Sequence, residues 1–465
     1  MSLVIDNPSP LFQVVPFSIS GLNELLAEIS SASSSHISKK FHTIYFKEYF
    51  AALDARTIVV EKNYIDHDYL EDYSGYYARC FSDYQRKCTR LHFFQNEFSE
   101  SRFTDLLTNS GDEKFANAIR DAYLGFIVAK PLPQTVIGRT CLKTYSADNG
   151  RRNFCTRTYD ANLFGFPLSV ETLAFQEQDT EAAACATSAL WTAFHGTSKL
   201  FDHPIPSPVE ITKSATVLGE HLTRSLPATD GLTANQMAKA IRGVQLEPTM
   251  VGVEDEYVLK STLYSYLPLG IPILMTLALV NVSEPSNPTM IGFHAVTITG
   301  FSLGKEPEAH DSNFVTRASR IDKLYAHDDQ VGPYSRMVFD GIKVVLDRQY
   351  NSISTSWGSS DGAATFRAVP RIFLIPVYHK IRIPVHLVHD TVFTFNSLLE
   401  PLRDNKIIAP DGPFEWDIQL TTVNNLKTKL RQEKLMQQEH LRNVLLQGCP
   451  ASFGRLQLSR GINRY

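Results

Sequence analysis

Up to about residue 160 the hydrophobic and polar positions switch repeatedly between helical and strand spacing. Apolar residues recur at helical intervals in LNELLAEI (22–29), IYFKEYFAAL (44–53) and YLEDYSGYYARCF (69–81), whereas TIVVEKNYI (57–65) reads as a strand. The Ser-rich patch SSASSSH (30–36) reads as a loop. FANAIRDAYLGFIVAKPLP (115–133) predicts a helix running into a strand that stops at Pro131. The Tyr, Phe and Arg residues over 64–94 suit an aromatic core better than a recognition surface.

The rhythm changes after residue 170. A helix pattern starts near Ala183 and runs to Phe194, with Gly196 as its end. ITKSATVLGEHLTRSL (211–226) and LTANQMAKAIRGV (232–244) follow, and in the second Thr233 caps a helix that Gly243 closes. PILMTLALV (272–280), HAVTITGFSL (294–303), KLYAHDD (323–329), RMVFDGIKVVLD (336–347) and RIFLIPVYHKIRI (371–383) are strands. GKEPEAHDSNFVTRASR (304–320) between them is polar and reads as a surface insertion. FNSLLEPL (395–402) and VNNLKTKLRQEKLMQQEHLRNVLLQ (423–447) look helical. These patterns predict an α+β chain in three parts: an N-terminal α+β domain (1–160), a second domain (161–380) and a C-terminal helical extension (381–465).

Composition narrows the function. The 465 residues are 43% hydrophobic and 11% aromatic, enough for a sizeable core. A formal charge of −4 gives no electrostatic case for nucleic acid. The longest apolar stretch, around Leu267–Val280, is broken by Pro268, Gly270 and Pro272, which predicts no membrane span. The N-terminus lacks a basic region followed by an apolar one, so no signal peptide is expected and the cytoplasm is the expected location. Six cysteines without a C-x-x-C pair suit neither a disulfide framework nor a zinc site.

One cysteine stands in a distinctive setting. Cys185, in QEQDTEAAACATSALW, lies at or near a helix N-terminus, where partial positive charge favours thiolate and free backbone N–H groups can meet an oxyanion. His294 opens an apolar strand, and Asp328 follows the short strand LYA before a turn. Such a carboxylate can fix the imidazole tautomer so that the other ring nitrogen faces the thiol. Each residue alone has a plainer reading: a small buried cysteine, a structural histidine, a solvated turn aspartate. The order Cys, His, acid carries more than any member.

The run from 176 to 380 resembles the papain-like cysteine peptidase superfamily, and within it the C39-type peptidases most. The resemblance rests on QEQDTEAAACATSALW, GLTANQMAKAIRGV, LYSYLPLGIPILMTL, GFHAVTITGF and YAHDDQVGPY, taken in that order. It implies a papain-like domain in which a helix carrying the cysteine packs on an antiparallel sheet carrying the histidine and the acid. It further implies Cys185 as nucleophile, His294 as base, Asp328 as orienting acid and a Gln donating to the oxyanion, best matched by Gln178. Gln178 stands seven residues before Cys185 where the family has six, Asp179 holds the sixth place, and Gln176 is a further candidate. Asp329 is the alternative acid. No ATP-binding or membrane-spanning segment accompanies these motifs, against a role as an exporter's leader peptidase.

The expected activity is therefore a cysteine hydrolase, a peptidase, isopeptidase or amidase working through a thioester without metal or cofactor. Its substrate would be a peptide or protein, and the N-terminal domain would be the place for a regulatory protein partner. An acyltransferase or transglutaminase-like enzyme would use the same triad. A papain-like interaction protein without activity would keep only the shape.

Overall fold

The computed structural model describes residues 11–108, 112–179, 184–216, 231–283, 288–305, 309–311, 314–346, 349–355, 366–381, 384–408, 414–433, 442–443, 445–446 and 452–459. Helices and strands are mixed along the chain, and the strands sort into separate sheets, an α+β arrangement.

The first sheet is a five-stranded antiparallel meander of β1 (Phe12–Pro16), β2 (Thr57–Tyr64), β3 (Cys88–Phe94), β4 (Tyr123–Ala129) and β5 (Ile137–Leu142). Helices α1 (Ile19–Ser30), α2 (Ser34–Lys39) and α3 (Phe41–Leu53) lie between the first two strands. Helices α4 (His67–Gly75), α5 (Glu100–Thr108) and α6 (Glu113–Asp121) follow. Every residue of β4 is buried, because both faces of the sheet are covered. Leu124, Ile127 and Ala129 join the cluster under α1 and α3, while Tyr123, Phe126 and Val128 join the opposite one. Tyr69, Tyr77, Phe93 and Phe94 are buried, so this part of the aromatic stretch is core.

The loop expected over 30–36 is partly helical. Ser33 caps α2 by accepting from the His36 amide, the kind of N-terminus that serine favours.

After β6 (Arg152–Phe154) and the hairpin β7 (Arg157–Leu163)–β8 (Phe166–Thr172) comes α7 (Cys185–Phe201). α8 (Pro208–Thr216) and α9 (Ala234–Gly243) follow, the latter opened by a Thr233–Gln236 capping box. Residues 217–226 of ITKSATVLGEHLTRSL lie outside the described residues.

The second sheet uses β9 (Leu246–Gly252), β10 (Ile273–Asn281), β11 (Thr289–Leu303), β14 (Ile321–Asp328), β15 (Gly332–Val345), β16 (Gln349–Ser354) and β17 (Phe366–Tyr378). β10 pairs with both β11 and β17, so six strands close on themselves and β9 adds to β17. β6 pairs with β11, and one apolar cluster reaches from Leu22 through Leu142 to Phe373, joining the two sheets.

α7 does not stop at Gly196 but continues to Phe201. A Cβ at Gly196 would collide with the Pro272 ring, so this glycine serves close packing of α7 against the start of β10 rather than a helix end.

Two further expectations change. The segment 304–320 is not merely a surface insertion. It contains β12 (Ala309–Asp311) and β13 (Phe314–Thr316), whose Phe314 and Val315 are buried. The C-terminal part is not only helical. α10 (Glu256–Tyr266) precedes β10, and after α11 (Val385–Asp404) comes β18 (Glu415–Thr422), then α12 (Val423–Glu433) and β19 (Ser452–Ser459). β18 pairs in parallel with β13 and antiparallel with β19, burying Trp416, Ile418 and Leu420. The apolar residues that anchor this end lie in EWDIQLTT, a strand pattern hidden between two helical ones.

Candidate active site

Cys185 is the first residue of α7, after Ala184 in extended conformation with no side-chain cap. An uncapped helix start leaves its first amides available to an anion. Cys185 is half-buried, in contrast to Cys88, Cys141 and Cys155, which are buried and whose thiols burial pushes up. None of the five described cysteines forms a disulfide.

His294 comes from β11, paired with Leu277 of β10. Its neighbour three residues on, Thr297, donates its hydroxyl to the Ala189 carbonyl of α7 at 2.7 Å. That bond fixes the helix against the strand one turn beyond Cys185. His294 Nε2 lies 3.1 Å from Asp328 Oδ1 and 3.5 Å from Asp329 Oδ1. Its side chain is also hydrogen-bonded to Cys185. With Nε2 facing the carboxylates, Nδ1 is the nitrogen left to the sulfur. Burial opposes charge on this ring, yet the Asp328 and Asp329 carboxylates and the bonds to Asp328 and Cys185 hold the imidazolium well above the ordinary histidine range.

Asp328 ends β14 and is 1% exposed. Its Oδ1 also accepts from the Gln330 amide at 3.1 Å, and its carbonyl accepts from Val331 N–H at 2.9 Å, closing the turn. Of the two candidate acids, Asp328 is thus within hydrogen-bond distance and Asp329 just beyond it. Asp329 is buried with Oδ2 lacking a hydrogen bond among the described residues, and burial pushes its carboxyl up to about 7. His327 points away from the site. It donates from Nδ1 to the Ala174 carbonyl and packs edge-on against Phe175 and Tyr334, and burial lowers it to about 3.

Gln178 is half-buried beside the acid turn, its amide 3.4 Å from the Asp329 carbonyl. Gln176 is buried. Asp179 belongs elsewhere: its Oδ2 accepts from Tyr77 O–H at 2.6 Å. Residues 180–183, between Gln178 and the helix, lie outside the described residues.

Two residues carried no signal in the sequence. His42, on α3, donates to the Asp329 carbonyl from Nε2. Lys40, just before α3 and partly exposed, forms an ion pair with the buried Glu177, and Glu177 Oε2 also accepts from the Ile137 amide at 3.0 Å. The first sheet's helices therefore brace both the acid turn and the segment leading to Gln178. A histidine near the start of an aromatic helix, distant in sequence from any motif, offers nothing by which to find it.

His294, Asp328 and Asp329 each offer one donor atom, all within 4.8 Å of one another, a nitrogen-and-oxygen set that a divalent cation could use. Such an ion would take Nε2 away from Asp328. As it stands, the three side chains are in contact in the order carboxylate, imidazole, thiol.

No known family model matches the chain, and no curated protein matches it. No helix among the described residues is long and apolar enough to cross a membrane.

Proposed function

We propose that this chain is a cysteine hydrolase of papain-like architecture, acting on peptide, isopeptide or other amide bonds. The observation that supports it is the chain of contacts Cys185–His294–Asp328, drawn from a helix start, a strand and a strand end. Cys185 on a helix, with His294 and Asp328 on strands of one sheet beside it, supports this reading.

In this reading the Cys185 thiolate, beside the His294 imidazolium, attacks the carbonyl carbon of an amide. The negative charge moves to the oxygen, which the first amides of α7 and the Gln178 side chain receive. The C–N bond breaks as His294 gives its proton to the leaving amine, and a thioester remains. His294 then takes a proton from water, the hydroxide attacks the thioester, and the acid leaves as the thiol regains its charge. Asp328 keeps Nε2 protonated and oriented throughout. An amine in place of water would make the same site an acyltransferase. The expected setting is a reducing one, the cytoplasm, where the thiol stays free.

The test is labelling of the native protein with a peptidyl epoxide or iodoacetamide probe, followed by peptide mass spectrometry. Cys185 is expected to react first and to lose that preference in His294→Ala. Equal labelling of Cys185 and the half-exposed Cys80, unchanged by His294→Ala, would remove the proposal. Products analysed with and without added amine then separate hydrolysis from transfer.

A further inference from the structure

One face of α11 is held against the C-terminal strands. Val392 packs with Phe314, Phe414 and Trp416, and the Asn396 side-chain carbonyl accepts from the Trp416 indole N–H at 3.0 Å. These contacts fix the rotation of the helix and therefore which of its residues face outward.

The outward side carries an apolar stripe. Leu387 is 53% exposed, Phe395 47%, Leu398 66% and Leu402 38%. Thr391 and Thr394 lie between them and are exposed, with their hydroxyls donating back to the Leu387 and Asp390 carbonyls at 2.7 and 2.9 Å. Covering these threonines would strand no hydroxyl proton. At 3.6 residues per turn the six positions fall within about 100° around the axis and extend about 22 Å along it. Between Asp390 and Asp404 no exposed side chain of α11 is charged, whereas the solvent face of a helix ordinarily carries its charges. An uncharged, contiguous apolar surface of this kind marks an interaction site.

The order of residues in the stripe identifies what covers it. The intervals from Leu387 to Leu402 are four, three, one, three and four residues, the same in both directions. Turned end for end about the midpoint between Thr394 and Phe395, the stripe falls on itself. Leu387 then meets Leu402, and Thr391 meets Leu398. This is the self-complementarity that a two-fold interface requires.

We propose that α11 is a self-association surface, on which two copies of this chain pair antiparallel about a two-fold axis between Thr394 and Phe395. One helix from each copy is a small contact, so the association is reversible rather than permanent. The surface is independent of the Cys185 reading and stands or falls without it.

Sedimentation velocity of the full chain over a concentration series tests this. A reversible monomer–dimer equilibrium is expected. Leu398→Glu and Thr391→Lys, each burying an unpaired charge, are each expected to weaken it at least about tenfold. The double variant Thr391→Lys/Leu398→Glu is expected to recover most of the affinity, because antiparallel pairing sets each lysine against the glutamate of the other copy. Parallel pairing would oppose like charges and give no recovery. An unchanged circular dichroism spectrum shows that each variant keeps its fold. Should Leu398→Glu not keep it, Leu387→Glu at the other end of the stripe takes its place. A chain that stays monomeric throughout, as when a different protein covers the stripe, would overturn the proposal. So would full association in a folded single variant, or no recovery in the double variant.

Discussion

His42 Nε2 donates to the carbonyl oxygen of Asp329 at 2.9 Å, linking positions 287 residues apart. The same carbonyl accepts from the Gln178 amide, so one oxygen gathers a helix of the first sheet, the acid turn and the segment before Cys185. Burial disfavours charge on His42, which suits a neutral ring with its proton fixed on Nε2. His42→Ala removes the donor and leaves a buried carbonyl underbonded. The expected loss is about 1–3 kcal/mol of stability by urea denaturation, with slower alkylation of Cys185 as the acid turn loosens. His42→Gln, which keeps an N–H donor, is expected to recover part of both. Unchanged urea midpoints in His42→Ala would mean that the turn holds itself.

Asp329 sets a pH dependence. Its folded carboxyl is pushed up to about 7 by burial, whereas an aspartate in the unfolded chain titrates near 4. Between those values the folded chain binds a proton that the unfolded chain has lost, so stability falls as pH rises. The slope is at most about 1.4 kcal/mol per pH unit. His294 adds a loss of the same sign, starting near its unfolded value of about 6.5 and continuing upward until its raised folded value is passed. Relative to Asp329→Asn, which cannot ionise, the wild type should lose urea stability progressively between pH about 4 and 7, whereas the opposite slope from buried histidines such as His327 and His42 is shared by both chains and cancels in the difference. Identical profiles would mean that Asp329 ionises normally.

Gly196→Ala puts two effects in opposition. Alanine in place of glycine inside a helix is favourable by roughly 1 kcal/mol. The added methyl, however, overlaps the Pro272 ring, which cannot rotate away. Overpacking of this kind costs about 1–3 kcal/mol, so net destabilisation is expected, read as a lower urea midpoint. Stabilisation would show that α7 and β10 can separate without loss.

The Gly196 case illustrates what the chain discloses by itself. Local periodicity reported the strands carrying His294 and Asp328, and the apolar helix behind Cys185, because each depends on alternation within a few residues. Gly196 misled because a glycine needed for close approach and one that ends a helix look alike until the partner is known. Phe314 and Val315 misled in the same way, since their burial comes from β18, about 100 residues further on. His42 and Lys40 were invisible for the same reason. Their partners, Asp329 and Glu177, lie beyond any local window, and only the packing of the first sheet on the second brings them together.

Gln178 offers the sharpest division between binding and chemistry. Its neighbours are tied to the first sheet, Glu177 through Ile137 and Lys40 and Asp179 through Tyr77. These anchors occupy both flanking carboxylates and fix the register of the segment around the half-buried Gln178. A slip of one residue would present a carboxylate instead, and a carboxylate would repel a developing oxyanion. Gln178→Ala is therefore expected to lower turnover of an amide substrate roughly 10²–10³-fold while leaving the alkylation rate of Cys185 unchanged, because alkylation forms no oxyanion. Gln178→Glu should be slower still above pH 5, where the new side chain is ionised. Full turnover in Gln178→Ala would move the donor to Gln176 or to the α7 amides alone, and a parallel fall in alkylation would mark Gln178 as a support for the thiol rather than a partner of the oxyanion.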